Sequence, residues 1–143
     1  MKNDKKLKIF VDSNVFIPGL YCQKGAPGTI ITDYTLGKID IVISQRVLNE
    51  IIIVLKEKLP TILPMLQKFL LSHPPEIVKD SRPESPEKWK GILNKNNAAI
   101  LESAISCAPD YFITGDKHFF ENPLIAKKSG LKIIKPKDFQ ISL

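Results

Sequence analysis

Four short apolar runs, each closed by polar or turn-forming residues, do most to limit what this chain can fold into. They lie at residues 8–11, 39–43, 111–114 and 131–134. Each is rich in β-branched or aromatic residues, bounded by Gly, Asp, Ser or Pro, and too short for a helix, so each reads as a buried strand. Residues 76–78 form a weaker fifth candidate. Helical patterns fill the intervals at 29–36, 45–58, 61–71, 97–107 and 119–128. Gly37 suits the residue after a helix, and Ser44 suits the N-cap of the long helix that Pro60 stops. Pro123 splits or shortens the last helix. Strands that alternate with helices favour a parallel sheet covered on both faces. The expectation is an α/β protein, a three-layer α/β/α domain with a central parallel sheet of four to five strands.

The 143 residues suffice for one domain, and the Pro-rich stretch at 72–87 reads as a loop within it. No apolar run is long enough to cross a bilayer. The charged start, MKNDKKLKIFV, carries no signal-peptide pattern, so the expected location is cytoplasmic and no membrane partner is expected. Cys22 and Cys107 have no second Cys or His at metal-ligand spacing and read as free thiols. The net charge of +6 favours polyanions, nucleic acid above all, although the lysines are spread along the chain.

Chemistry enters through position. Ligands of open parallel sheets bind beyond the carboxyl ends of strands, where the strand order reverses. Asp12 follows the first strand directly in KIFVDSNVF, and Asp116 follows a later one in YFITGDKHF. If those strands are neighbours, two carboxylates meet at one sheet edge. Glu50 lies at the margin of the apolar arc formed by Val47, Leu48, Ile51, Ile52, Val54 and Leu55, and can project over the same edge. On residue type alone, Asp12 reads as an Asx-turn residue and Glu50 as a solvated charge. Brought together, they make an all-oxygen site suited to Mg²⁺ or Mn²⁺ rather than zinc. Such an ion can activate water against a phosphodiester.

The segments DSNVFIPGL (12–20), KGAPGTIITDYTLGKIDIVISQRVLNEIIIVL (24–55), AAILESAISCAPDYFITGDKHF (98–119) and LKIIKPKDF (131–139) together resemble the PIN-domain family. Within it they are similar to the branch described as toxin components of toxin–antitoxin systems. The resemblance implies a divalent-metal-dependent endoribonuclease, with Asp12, Glu50 and Asp116 as the first, second and fourth acids of its metal cluster. Asn14 and Thr114 match supporting polar positions, and Asp110 matches an aspartate that caps the turn before its strand. Asn97 stands where the family pattern has its third acid. An amide oxygen can still coordinate Mg²⁺, but it is neutral and accepts no proton, so the resemblance implies a weakened nuclease. The alternative is a PIN-like domain that binds RNA or a partner protein without cutting. Lys117 and His118 are the candidates for contacting RNA phosphates. An antitoxin protein and a second copy of the chain are the partners the family implies.

Competing readings fail on particular residues. A receiver domain needs paired acids after its first strand, where this chain has Asp12-Ser13-Asn14. A haloacid-dehalogenase-type phosphatase needs Asp-x-Asp, which Asn14 breaks. A dinucleotide-binding module needs Gly-x-Gly-x-x-Gly, which IPGLYCQKGAPG does not supply.

Overall fold

The computed structural model describes residues 6–140 apart from residues 84 and 86. Five strands form one parallel sheet: β1 (Leu7–Val11), β2 (Ile39–Ser44), β3 (Glu76–Val78), β4 (Tyr111–Ile113) and β5 (Ile133–Ile134). Their order is β3-β2-β1-β4-β5, with every neighbouring pair parallel. The chain builds outward from β1 through β2 to β3, then returns to the other side of β1 for β4 and β5. The order therefore reverses between β1 and β4, and a crevice opens beyond their carboxyl ends. The register pairs Val11 with Ile113, which sets Asp12 opposite Thr114 one step beyond the last pair. The Asp12 N–H continues this ladder by donating to the Ile113 carbonyl at 3.0 Å.

Among the described residues, six α-helices complete the layers: α1 (Ser13–Tyr21), α2 (Ala26–Thr35), α3 (Gln45–Lys58), α4 (Leu63–Ser72), α5 (Lys95–Cys107) and α6 (Leu124–Ser129). α1 packs on α2, α3 and α4, while α5 packs on α6 across the sheet. Between the layers, Ile9, Phe10, Val11, Ile43, Phe112 and Ile113 are fully buried. Phe10, Phe112 and Phe119 stack edge to face, with ring centroids 5.5 and 5.1 Å apart in succession.

The strand candidates all appear, the fifth as an exposed edge strand. Ser44 caps α3 as expected, its hydroxyl accepting from the Val47 N–H at 3.2 Å. Gly37 ends the turn after α2 with φ +78°, a conformation that costs glycine little. Pro123 does divide the last helix, leaving a 3₁₀ turn at Lys117–Phe119 and the short α6. α1 is the element that local pattern did not announce. Pro18 and Gly19 are poor helix formers, and Pro18 has no N–H to donate. Burial of Val15, Phe16 and Ile17 outweighs those penalties, and Asp12 caps the helix start. Gly19 and Gly28 let α1 and α2 approach closely: a Cβ at Gly28 would run into the Cys22 carbonyl oxygen. Both cysteines are free thiols. No helix among the described residues is long and apolar enough to cross a membrane.

Candidate functional site

The crevice between β1 and β4 is held by a continuous hydrogen-bond network centred on Asp12. Its side chain is 3% exposed, yet three donors reach it. The Ser13 N–H donates to Oδ1 at 2.8 Å. The Thr114 hydroxyl and the Asn14 amide donate to Oδ2 at 2.8 and 3.2 Å. Asn14 also spans the crevice, its Oδ1 accepting from the Gly115 N–H at 2.8 Å. Thr114 serves both acids, because its hydroxyl oxygen accepts from the Asp116 N–H at 3.0 Å. The sheet register makes this possible: it brings Thr114 beside Asp12 and leaves Asp116 two residues further along the same edge.

Glu50 reaches the site from the first turns of α3. The Ser13 hydroxyl donates to its Oε1 at 3.0 Å, and the Asn96 amide to its Oε2 at 2.6 Å. Asn97 is 7% exposed near the start of α5, where its N–H is capped by Asn94 Oδ1 at 2.8 Å. Its side-chain amide donates to Asp116 Oδ2 at 3.3 Å. His118 folds back on the same carboxylate, with its N–H 2.9 Å and its ring Nδ1 2.8 Å from Asp116 Oδ1. Lys117 is exposed beside it.

The charges differ in how they are held. Burial pushes the Asp12 carboxyl up to about 6, and the Glu50 and Asp116 charges add to that rise. Thr114 and the Ser13 N–H act against it. Burial also acts to raise Asp116, but the His118 N–H and ring and the Asn97 amide outweigh it and leave Asp116 below the usual carboxylate range. His118 is the only basic side chain within ion-pair distance of the three acids among the described residues.

The sequence candidates Asp12, Glu50, Asn97 and Asp116 thus come together with Asn14 and Thr114. As placed, no three His, Cys, Asp or Glu side chains among the described residues stand close enough to grip one ion. The donor set is nonetheless all oxygen and negatively charged, which fits a hard divalent cation. Asp110 does not cap the turn between α5 and β4. Its Oδ2 accepts from the Lys8 N–H at 2.7 Å and ties down the start of β1. Glu102 lies away from the acids and accepts from the Trp89 indole N–H at 2.7 Å.

Sequence reasoning did not single out Ser13, Asn96 or Arg46. Ser13 sits inside the same D-S-N triplet as Asp12, and Asn96 adjoins Asn97. Arg46 lies four residues before Glu50 on α3, a spacing that puts both on one face. Its Nη1 donates to Asn96 Oδ1 at 3.1 Å. The buried Thr114 is the shared support, so Thr114→Val is expected to lower stability by about 1–3 kcal/mol through the unpaired groups it leaves. It should also raise the Asp12 titration above about 6, because one of the bonds opposing the rise is gone. A thermal melt and carboxyl-carbon NMR titration measure the two effects; an unmoved titration would refute the assignment.

The family model described as PIN domain matches residues 8–118. In a sequence comparison no curated protein matches the chain. Among solved structures, the fold is similar to a chain of VapBC2 from Rickettsia felis bound to a DNA fragment from their promoter. The TM-score is 0.64 at 18% identity, over 90% of this chain and 98% of that one. The match spans β1 through the Asp116 turn, and therefore all the residues of the network described above, so the chain belongs to the PIN-domain family.

Proposed function

We propose that the chain is a metal-dependent ribonuclease of the toxin type, with RNA as its substrate. The observation that carries this reading is the hydrogen-bond network that links three carboxylates around the strand-order reversal, one of them buried and pushed up to about 6 by burial and by its neighbours' charge. A buried anion beside two others is costly without a cation. Asp12, Glu50 and Asp116 would hold Mg²⁺ or Mn²⁺, with the Asn97 amide as a neutral neighbour. When bound, the ion supplies a water of lowered pKa and charge neutralisation at the phosphodiester.

The chain's own residues prepare that site. Thr114 and Asn14 fix the Asp12 carboxylate, Ser13 and Asn96 orient Glu50, and His118 and Asn97 orient Asp116. His118 and the exposed Lys117 stand where an RNA phosphate can be met, although the His118 Nδ1 is already engaged by Asp116. The likeness to the solved VapBC2 complex supports an antitoxin protein as a partner.

The test is cleavage of single-stranded RNA with Mn²⁺. Activity is expected to vanish with EDTA and to fall at least about a hundredfold in Asp116→Asn, the scale of losing one group that acts on transition-state charge. Cleavage that survives both would overturn the metal mechanism. A second reading is favoured by one residue. Asn97 donates to Asp116 where a fourth carboxylate would otherwise sit, which suits a domain that binds RNA without cutting. RNA binding by a protein that cleaves under no divalent-metal condition would select that reading.

A further inference from the structure

A cavity of about 690 Å³ lies next to the acidic site, between the segment that follows β3 and the N-terminal half of α5. Its lining is cationic, with Arg46, Arg82, Lys90 and Lys95 against the single carboxylate Asp80 among the described residues. Leu93, Ala98 and Ala99 give it an apolar floor.

The wall of this cavity is anchored at three points. Asp80 Oδ1 accepts the Arg46 N–H at 2.8 Å, satisfying a free donor in the first turn of α3. The Ser81 N–H donates to the Ser103 hydroxyl at 2.9 Å. Trp89 is 2% exposed, its indole N–H fixed by Glu102 and its ring flanked by the Lys88 and Lys128 ammonium groups at 5.2 and 5.3 Å. Trp89 is therefore an anchor rather than a stacking platform, and it presents its neighbour Lys90 to solvent. Preorganisation of this kind lowers the ordering cost of binding.

Arg46 joins the cavity to the acidic site. It lines the cationic cavity and reaches the acidic site through Asn96, which donates to Glu50. Its Nε is buried with no hydrogen-bond partner among the described residues, an orphaned cationic donor at the boundary. Unpaired buried donors of this kind are uncommon.

From this juxtaposition we infer that the cavity is the track for the RNA strand on one side of the cleaved bond: Arg46, Arg82, Lys90 and Lys95 hold successive phosphates, and a base rests on the Leu93–Ala98–Ala99 floor. The inference rests on the proposed function in taking RNA as the ligand, but it needs no cutting. Planar guanidinium groups suit phosphate oxygens, and the apolar floor suits a base face.

Binding of a short fluorescein-labelled single-stranded RNA, followed by anisotropy in EDTA, tests it without metal or cleavage. The double variant Arg82→Ala/Lys90→Ala removes two exposed cations outside the acidic site. It is expected to weaken binding at least about tenfold and to lower the salt slope by about 1.4, near 0.7 for each phosphate left without its cation. A control variant, Lys38→Ala/Lys137→Ala, removes the same charge from a different groove and is expected to bind as wild type. Equal weakening in both variants, or none in the first, overturns the track. An acidic peptide that loses affinity in Arg82→Ala/Lys90→Ala while RNA does not would also overturn it, and would assign the cavity to a protein partner. The two proposals fail separately. RNA binding that responds to the groove variant without any cleavage sinks the nuclease alone, whereas cleavage with an unresponsive groove sinks the track alone.

Discussion

Asp12→Asn is expected to abolish metal-dependent RNA cleavage and at the same time to make the metal-free protein more stable at neutral pH. Folded, Asp12 titrates at about 6; its ordinary value is 3.8. Between those values the folded protein binds more protons than the unfolded chain, so stability falls as pH rises through the window. The accumulated cost of charging Asp12 is about 3 kcal/mol at neutral pH, from roughly 1.4 kcal/mol per pH unit. Asp116 does not blur this window. Its value is lowered, so its contribution is lost only as the solution is acidified below the ordinary carboxylate range.

Asp12→Asn leaves the position neutral at every pH and so avoids this cost. With its oxygen kept toward Thr114 and Asn14, it gives up one accepted hydrogen bond, because its NH₂ group replaces the oxygen that now accepts from the Ser13 N–H. At about 1 kcal/mol for that loss, a net gain of about 1–2 kcal/mol remains. The measurement is denaturant unfolding from about pH 4 to neutral, with EDTA present. Wild type should lose stability across the interval and Asp12→Asn should not. Mn²⁺ should restore wild type at neutral pH and leave the variant unchanged. A variant that is less stable at neutral pH, or that keeps the wild-type pH dependence, would show that Asp12 is not the strained group.

Restoring a carboxylate at position 97 should act in the opposite direction. Asn97→Asp removes the amide that donates to Asp116 Oδ2 at 3.3 Å and replaces it with a second acid in a site only 7% exposed. Without metal the two carboxylates repel, and a loss of about 1–3 kcal/mol is expected from the broken, buried hydrogen bond. With Mn²⁺ the added charge becomes an advantage. Metal affinity should rise by about 10–100-fold, the scale on which metal sites respond to their supporting groups. RNA cleavage should rise at least about tenfold, equivalent to about 1.4 kcal/mol of barrier. Calorimetric Mn²⁺ titration and single-turnover cleavage check the pair of effects. A folded variant with unchanged metal affinity would place residue 97 outside the metal's reach. Cutting by the variant alone, with none by wild type, would assign this chain to binding without cleavage.

Much of the architecture was legible locally because the signals are local. Strand segments ending at Val11 and Ile113 are marked by an apolar run that meets a carboxylate or a threonine. The α3 helix is marked by Ser44 at its cap and a broad apolar arc, with Val47, Ile51 and Leu55 fully buried. α1 was hidden for the converse reason. Its Pro18 and Gly19 speak against a helix, and only packing against α2, α3 and α4 overrules them. Asp110 was legible as a turn-region aspartate, but its partner proved to be the Lys8 N–H, 102 positions away in the chain.

By itself, the sequence determined the order of the strands and of the helices other than α1, the acids that could stand at strand ends, and the neutral residue at position 97. Only the tertiary structure decided that β4 lies beside β1, and everything chemical follows from that adjacency. It brings Thr114 to Asp12, ties Asp116 to Asn97, and sets the charges of Glu50 and Asp116 close enough to raise Asp12. Separately, the packing of the segment before α5 places Trp89 against Glu102, which fixes the wall of the cationic cavity. The physical reason is that helix caps and apolar periodicity are written in neighbouring residues. A shared hydroxyl, a raised carboxyl or an unpaired guanidinium Nε exists only where distant segments exclude water together.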